Sequence, residues 1–165
     1  MPLLAPMSTI AGQLAFVVGS YHLLKHNKGK GVMIGHMDDM DPRVVTVIGA
    51  GVAGTQSILK AIDNKALVKV VDSSQTKLDD LKSKYGTENV EYILSSKDSI
   101  QVSVNESDLV IGSVYVVGKE APKVVTKEML SSMNPGTVMV DVSIDQGGCF
   151  ETVSYTHLTL PTSPH

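Results

Sequence analysis

Arg43-Val-Val-Thr-Val-Ile-Gly-Ala-Gly-Val-Ala-Gly54 is a run of β-branched residues that breaks directly into glycines at positions 49, 51 and 54. The run predicts a buried strand, and the glycine spacing is a dinucleotide-binding fingerprint set in its proper place, between a strand and a helix. Gly49 makes the tight turn, Gly51 lets the backbone approach a pyrophosphate, and Gly54 lets the helix pack against the sheet. Unpaired backbone N–H groups where the stretch Gly49, Ala50, Gly51, Val52, Ala53 and Gly54 opens the next helix, at the positive end of its dipole, then hold the phosphates. A second strand-like run, Ala66-Leu-Val-Lys-Val-Val-Asp72, ends in a carboxylate about 20 residues further on, where this arrangement puts an acid on the adenosine ribose. A plain glycine turn followed by a strand that happens to end in Asp would not require strand, glycines, helix, strand and acid to fall in register.

Upstream, Pro2 and Pro6 predict that no helix starts before Ser8, which then caps a helix running to about Lys25. Ala11, Ala15 and Gly19 recur at i, i+4 and i+8 and flatten one face. Ile10, Leu14, Phe16, Val17, Val18, Leu23 and Leu24 make the rest apolar nearly all round, which predicts a long buried helix. His22 and His26 suit the negative end of its dipole, and neither has a second ligand at metal spacing, so no metal site is expected. Asn27 to His36 is glycine-rich and basic but lacks the Gly-Lys-Ser/Thr ending of a P-loop. It reads as a short hairpin or connector, followed by a polar linker to Pro42.

Downstream, strand and helix patterns alternate. Helices are predicted over 53–62, 73–85, 98–107 and 127–133, and strands over 67–72, 90–94, 108–114 and 137–141, with Gly86 as a C-cap. This is an α/β chain: a Rossmann-type, doubly wound parallel sheet preceded by a long buried helix. Three segments follow: 1–42, a connecting helix and glycine-rich linker; 43–151, the nucleotide-binding domain; and 152–165, a tail rich in Ser, Thr and Pro that is expected to be disordered. The ligand crevice of such a sheet lies at the strands' carboxyl ends. The residues there are Gly49–Gly54, Asp72, Ser95, Val114, Tyr115 and the stretch after Asp141. That stretch carries Asp145 and a Gly147-Gly148 turn. From the residues alone, Asp145 either orients a substrate or acts as acid or base, or it only stabilises the glycine turn.

Composition narrows the classes. Lys plus Arg number 14 against 17 Asp plus Glu, which makes no electrostatic case for nucleic acid or an anionic membrane. Hydrophobic content of 42% and charged content of 19% are those of a globular chain. One cysteine, Cys149, excludes an internal disulfide framework. With no apolar run of transmembrane length and no signal-peptide pattern, the cytoplasm is the expected compartment.

Across Pro2-Leu-Leu-Ala-Pro-Met-Ser8, Gly49–Gly54, Asp108-Leu-Val-Ile-Gly112, Ala121-Pro-Lys123, Met133-Asn-Pro-Gly136 and Ile144-Asp-Gln-Gly-Gly-Cys-Phe-Glu151, the sequence resembles the alanine dehydrogenase family. That family is shared with the proton-translocating nicotinamide nucleotide transhydrogenases, and the ending at Glu151 favours the dehydrogenase branch. By position, the resemblance implies NAD contacts at Ser8, the glycine loop, Asp72, Lys77, Ser95, Val114, Tyr115, Val142, Ile144 and Asp145, and an active-site role for Asp145. The implied reaction is hydride transfer from the α-carbon of L-alanine to NAD, with water then yielding pyruvate and ammonium. A homo-oligomer is implied too, hexameric in the family. The substrate domain that precedes Pro2 in the family, with its arginine, lysine and histidine, is expected to be absent, so the isolated chain is expected to be inactive. Asp63-Asn-Lys65 replaces a glycine-containing turn of the family, and residues from Val153 on do not continue its pattern. A second reading is a regulatory or transhydrogenase-type nucleotide-binding module without amino-acid chemistry.

Overall fold

The computed structural model describes residues 4–25, 29–35 and 41–151. Helix α1 (Leu4–Leu24) comes first. The β-branched runs then form β1 (Val44–Ile48), β2 (Leu67–Asp72), β3 (Val90–Leu94), β4 (Leu109–Gly112) and β5 (Val138–Asp141). They alternate with α2 (Val52–Asp63), α3 (Gln75–Tyr85), α4 (Lys97–Glu106) and α5 (Lys127–Ser131). All strand pairs are parallel, in the order β3-β2-β1-β4-β5. The chain winds outward from β1 through β2 to β3, then returns to start again at β4. The boundary between β1 and β4 is therefore the topological switch point, where open α/β sheets place a ligand crevice.

The sheet carries a core on each face. Val45 and Val47 of β1 point to one side with Val68, Val70, Leu109 and Ile111, against Phe16 and Leu23 of α1, Ile58 of α2 and Leu78 of α3. Ile48, Val71 and Val110 point to the other, against Ile100 and Val104 of α4 and Met129 of α5. Alternate strand residues feed opposite faces, which is why these strands read as unbroken apolar runs. Burying a side chain such as Ile58, which has no exposed surface, stabilises the fold by roughly 1.5–3 kcal/mol. Thr46 is buried among these apolar residues, its hydroxyl 2.6 Å from that of Ser107, so its polar atom is satisfied.

Two expectations are corrected, and the choice left open between hairpin and connector is decided. Helix α1 begins at Leu4, so Ser8 lies inside it and does not cap it. Pro6 is its third residue, where an N–H would have no intrahelical acceptor, so a proline there removes no hydrogen bond. Burial of α1 is confined to one side: Gly12, Ala15, Phe16, Gly19 and Leu23 are buried, while Ile10, Leu14, Val17, Val18 and Leu24 are exposed. The close approach is carried by Gly12, which pattern reading passed over. A Cβ there would lie 2.0 Å from the carbonyl oxygen of Ala53, and Ser57 donates to the Gly12 carbonyl at 2.6 Å. Finally, residues 29–35 contain no strand. They form a connector pinned by Lys30, which pairs with Asp108 at 2.6 Å while the same carboxylate accepts the Val44 N–H at 3.0 Å. His26 and the tail from residue 152 lie outside the described residues.

Candidate nucleotide-binding crevice

The turn after β1 is shaped by its glycines. Gly49 has φ +97°, and a Cβ on it would meet the Ser113 carbonyl oxygen at 2.6 Å, so both conformation and space demand glycine. At Gly54 a Cβ would lie 1.8 Å from the Gly49 carbonyl oxygen. Ser113, just past the end of β4, donates its hydroxyl to that same carbonyl at 2.6 Å, locking the loop across the switch point. Gly51 differs: a Cβ there would meet no protein atom within 4 Å. It is the N-cap of α2 with φ −77°, and no side chain caps it. Nothing among the described residues requires glycine at this position, and the space beside it is open.

Asp72, at the end of β2, is buried and already engaged. One carboxylate oxygen accepts the Ala50 N–H at 2.7 Å, and the other accepts the Ser74 N–H at 2.8 Å. Each oxygen keeps a second lone pair for a ligand hydroxyl. Ser95 follows β3 and donates its backbone N–H to the Asp72 carbonyl at 2.9 Å, which sets it beside the acid. Lys77 lies in the first turn of α3, exposed, its N–H directed to the Ser74 cap. Ser8 stands one turn before Gly12, at the end of α1 that meets the start of α2.

On the far side of the switch point, Val114 follows the end of β4, and its carbonyl accepts the Ser143 hydroxyl at 2.8 Å. Tyr115 and Val117 beyond it are exposed. Val142 donates its N–H to the Gly112 carbonyl at 2.8 Å and leads into a 3-10 turn, Ile144–Gln146. Asp145 sits exposed in that turn with no polar partner among the described residues. The loop is held from within by Asp141, which sequence reading treated only as a strand end. Its carboxylate accepts the N–H groups of Ser143 at 2.9 Å, Cys149 at 2.8 Å and Phe150 at 3.2 Å. The Lys123 ammonium donates to the Gly147 carbonyl and, at 2.7 Å, to that of Gly148. The available signal was an Asp ending an apolar strand directly before a loop. Burial, and then the nearby Asp141 carboxylate, push the Cys149 thiol up to about 12. It is a neutral packing group, not a nucleophile.

The sequence-predicted residues after the five strands thus share one edge of the sheet: the glycine loop, Asp72, Ser95, Val114 with Tyr115, and the Val142–Asp145 stretch. Among the described residues no group of three or more His, Cys, Asp or Glu could hold a metal ion, and no helix is long and apolar enough to cross a membrane.

Fold and crevice together define a Rossmann-type α/β domain. The chain belongs to the family described as alanine dehydrogenase/PNT, C-terminal domain, whose family model matches residues 15–165, a span that includes the tail. An alanine dehydrogenase of Halomonas elongata is 44% identical over 162 residues, 98% of this chain and 43% of that protein. A solved L-alanine dehydrogenase structure superposes with a TM-score of 0.87 at 39% identity, over 94% of this chain and 44% of the other. A transhydrogenase from Sinorhizobium meliloti follows, with a TM-score of 0.78 at 26% identity over 92% of this chain and 44% of the other. The chain therefore spans less than half the length of these relatives.

Proposed function

We propose that this chain is the NAD-binding half of an alanine dehydrogenase, with residues 43–151 as the nucleotide-binding unit and 1–42 as the helix and linker leading into it. The observation that carries the reading is Gly51, a glycine at which a Cβ would meet no described protein atom within 4 Å, so the space beside it is open. Beside the uncapped N–H groups that open α2, that room suits a pyrophosphate. Asp72 stands where a ribose would offer its hydroxyls, and its charge disfavours a 2′-phosphate. NAD, when bound, supplies the hydride acceptor. Ser8, Lys77, Ser95, Val114, Tyr115, Val142 and Ile144 line the cofactor, and Asp145, unpaired on its 3-10 turn, faces the reacting end. In the longer protein L-alanine and pyruvate are the substrates, the compartment is the cytoplasm and copies associate. Identity of 39% to a solved alanine dehydrogenase structure against 26% to a transhydrogenase structure supports amino-acid chemistry over the transhydrogenase-type reading.

Calorimetric titration of NAD into the 165-residue chain tests the cofactor half of this reading. Saturable one-site binding is expected, and no heat at millimolar NAD would overturn it. Alanine-dependent NADH formation by the protein containing both halves, and none by this chain alone, tests the other.

A further inference from the structure

Asp141 and Lys123 grip the loop that carries Asp145 through opposite backbone groups. Asp141 takes N–H groups, those of Ser143, Cys149 and Phe150. Lys123 supplies donors to carbonyls, those of Gly147 and, at 2.7 Å, Gly148. These two glycines have φ +88° and +76°, consecutive left-handed residues directly after the 3-10 turn Ile144–Gln146. Glycine has the most backbone freedom of any residue, so this pair is the softest joint between Asp145 and the anchored end at Cys149. The Lys123 ammonium bridges that joint. The segment that carries it is held without its side chain: Ala121 donates its N–H to the Gln146 carbonyl at 2.9 Å, Val124 donates to that of Cys149 at 2.9 Å, and Val125 forms a parallel bridge with Phe150.

We infer that Lys123 is a positioning residue for Asp145, its ammonium fixing where that carboxylate stands by holding the two carbonyls that follow it. The inference rests on the assignment of Asp145 to the reacting end. Among the described residues Lys123 makes no ion pair, so it acts on Asp145 through the backbone and not as a counter-charge. Two carbonyls already engage the three-donor ammonium, which leaves it poorly equipped to hold an anionic ligand as well. Lys123 is exposed, and hydrogen bonds from an exposed group contribute little to folding because water replaces the lost partner. What the contact adds is geometry. A misplacement of about 1 Å can cost roughly 10²-fold in rate, so the effect of Lys123 falls on turnover and not on stability.

A mutant cycle in the protein containing both halves tests this. Lys123→Met keeps the stem and removes the donors, and turnover with alanine should fall roughly tenfold to a hundredfold, with KM and NAD affinity within about two-fold of native. Lys123→Arg keeps donors and should recover most of the loss. In an Asp145→Asn background, Lys123→Met should change turnover by less than about two-fold, because a residue that acts only through Asp145 has nothing left to position. A merely structural role would cost the same in both backgrounds. Amide exchange in the 165-residue chain gives a second measurement that needs no turnover. The Gly147 and Gly148 N–H groups, bonded to the Ile144 and Ser143 carbonyls at 3.2 and 2.9 Å, should exchange at least about fivefold faster in Lys123→Met, while those of Cys149 and Phe150 stay within about two-fold. Near-native turnover of Lys123→Met, equal losses in both backgrounds, a raised KM with turnover intact, or unchanged exchange at both glycines would each overturn the inference and leave the Asp145 assignment standing. Near-native turnover of Asp145→Asn would overturn both.

Discussion

The Asp72 carboxylate accepts the backbone N–H of Ala50 at 2.7 Å, so the end of β2 is tied to the glycine loop that follows β1. The acid proposed for the ribose thus also shapes the loop proposed for the phosphates, and its removal has two separable consequences. NAD should bind at least tenfold more tightly than NADP, because a fixed carboxylate repels a 2′-phosphate. Asp72→Ala should narrow that gap and also leave the Ala50 and Ser74 N–H groups without their acceptor, at about 1–3 kcal/mol. Calorimetry with both nucleotides and urea unfolding read the two effects; equal native affinities would remove Asp72 from the ribose.

Gly51 and Gly54 should respond differently to the same substitution. Gly51→Ala meets no protein atom, so its stability should stay within about 0.5 kcal/mol of native. Gly54→Ala drives a methyl into the Gly49 carbonyl and should cost roughly 1–3 kcal/mol. NAD affinity should fall at least tenfold in Gly51→Ala. Native affinity in that variant would mean that the open space is not the phosphate site.

Asp141 is expected to be the main stabilising group of the Val142–Phe150 loop. Asp141→Ala deprives three backbone N–H groups of one acceptor, and a loss of about 3 kcal/mol is expected. Asp141→Asn keeps an oxygen acceptor and should lose less. Urea midpoints of the two variants test this, and identical midpoints for Ala and native would be inconsistent with it.

Cys149 should make the fold sensitive to alkali. Its thiol is pushed from 9.0 to about 12 in the folded chain, first by burial and then by Asp141. Below about pH 9 the thiol is protonated in both states and its contribution to stability is constant. Between about pH 9 and 12 the unfolded chain releases a proton that the folded chain retains, so stability falls as pH rises, by up to about 1.4 kcal/mol per pH unit from this group. Cys149→Ser should flatten that slope in denaturant titrations. At pH 8 the native thiol should resist alkylation until urea exposes it.

In the longer protein, Asp145→Asn should lower turnover by about 10²–10⁴-fold while NAD affinity stays near native, the pattern of a group that acts mainly in the transition state. Steady-state kinetics with alanine check it. Near-native turnover would leave Asp145 as a turn residue.

The sequence alone determined the strands and the loop between β1 and α2. Both are local consequences: β-branched runs have one low-energy use in a doubly covered sheet, and Gly49 needs a φ that other residues avoid. It also put the candidate residues that follow the strands on one side, because a parallel sheet brings every strand's carboxyl end to one edge. Tertiary structure decided what depends on neighbours distant in the chain. Pro6 suits the first turn of α1, where its missing N–H has no acceptor to lose, which no local rule about prolines could separate from a helix stop. Gly12 matters because Ala53, far along the chain, comes to rest against it. Asp141 became the anchor of the Asp145 loop only when Cys149 and Phe150 folded back onto it. Apolar residues on all sides of α1 looked like full burial, but a helix touches the sheet and α2 along one stripe only. The other stripe stays exposed because nothing among the described residues packs over it.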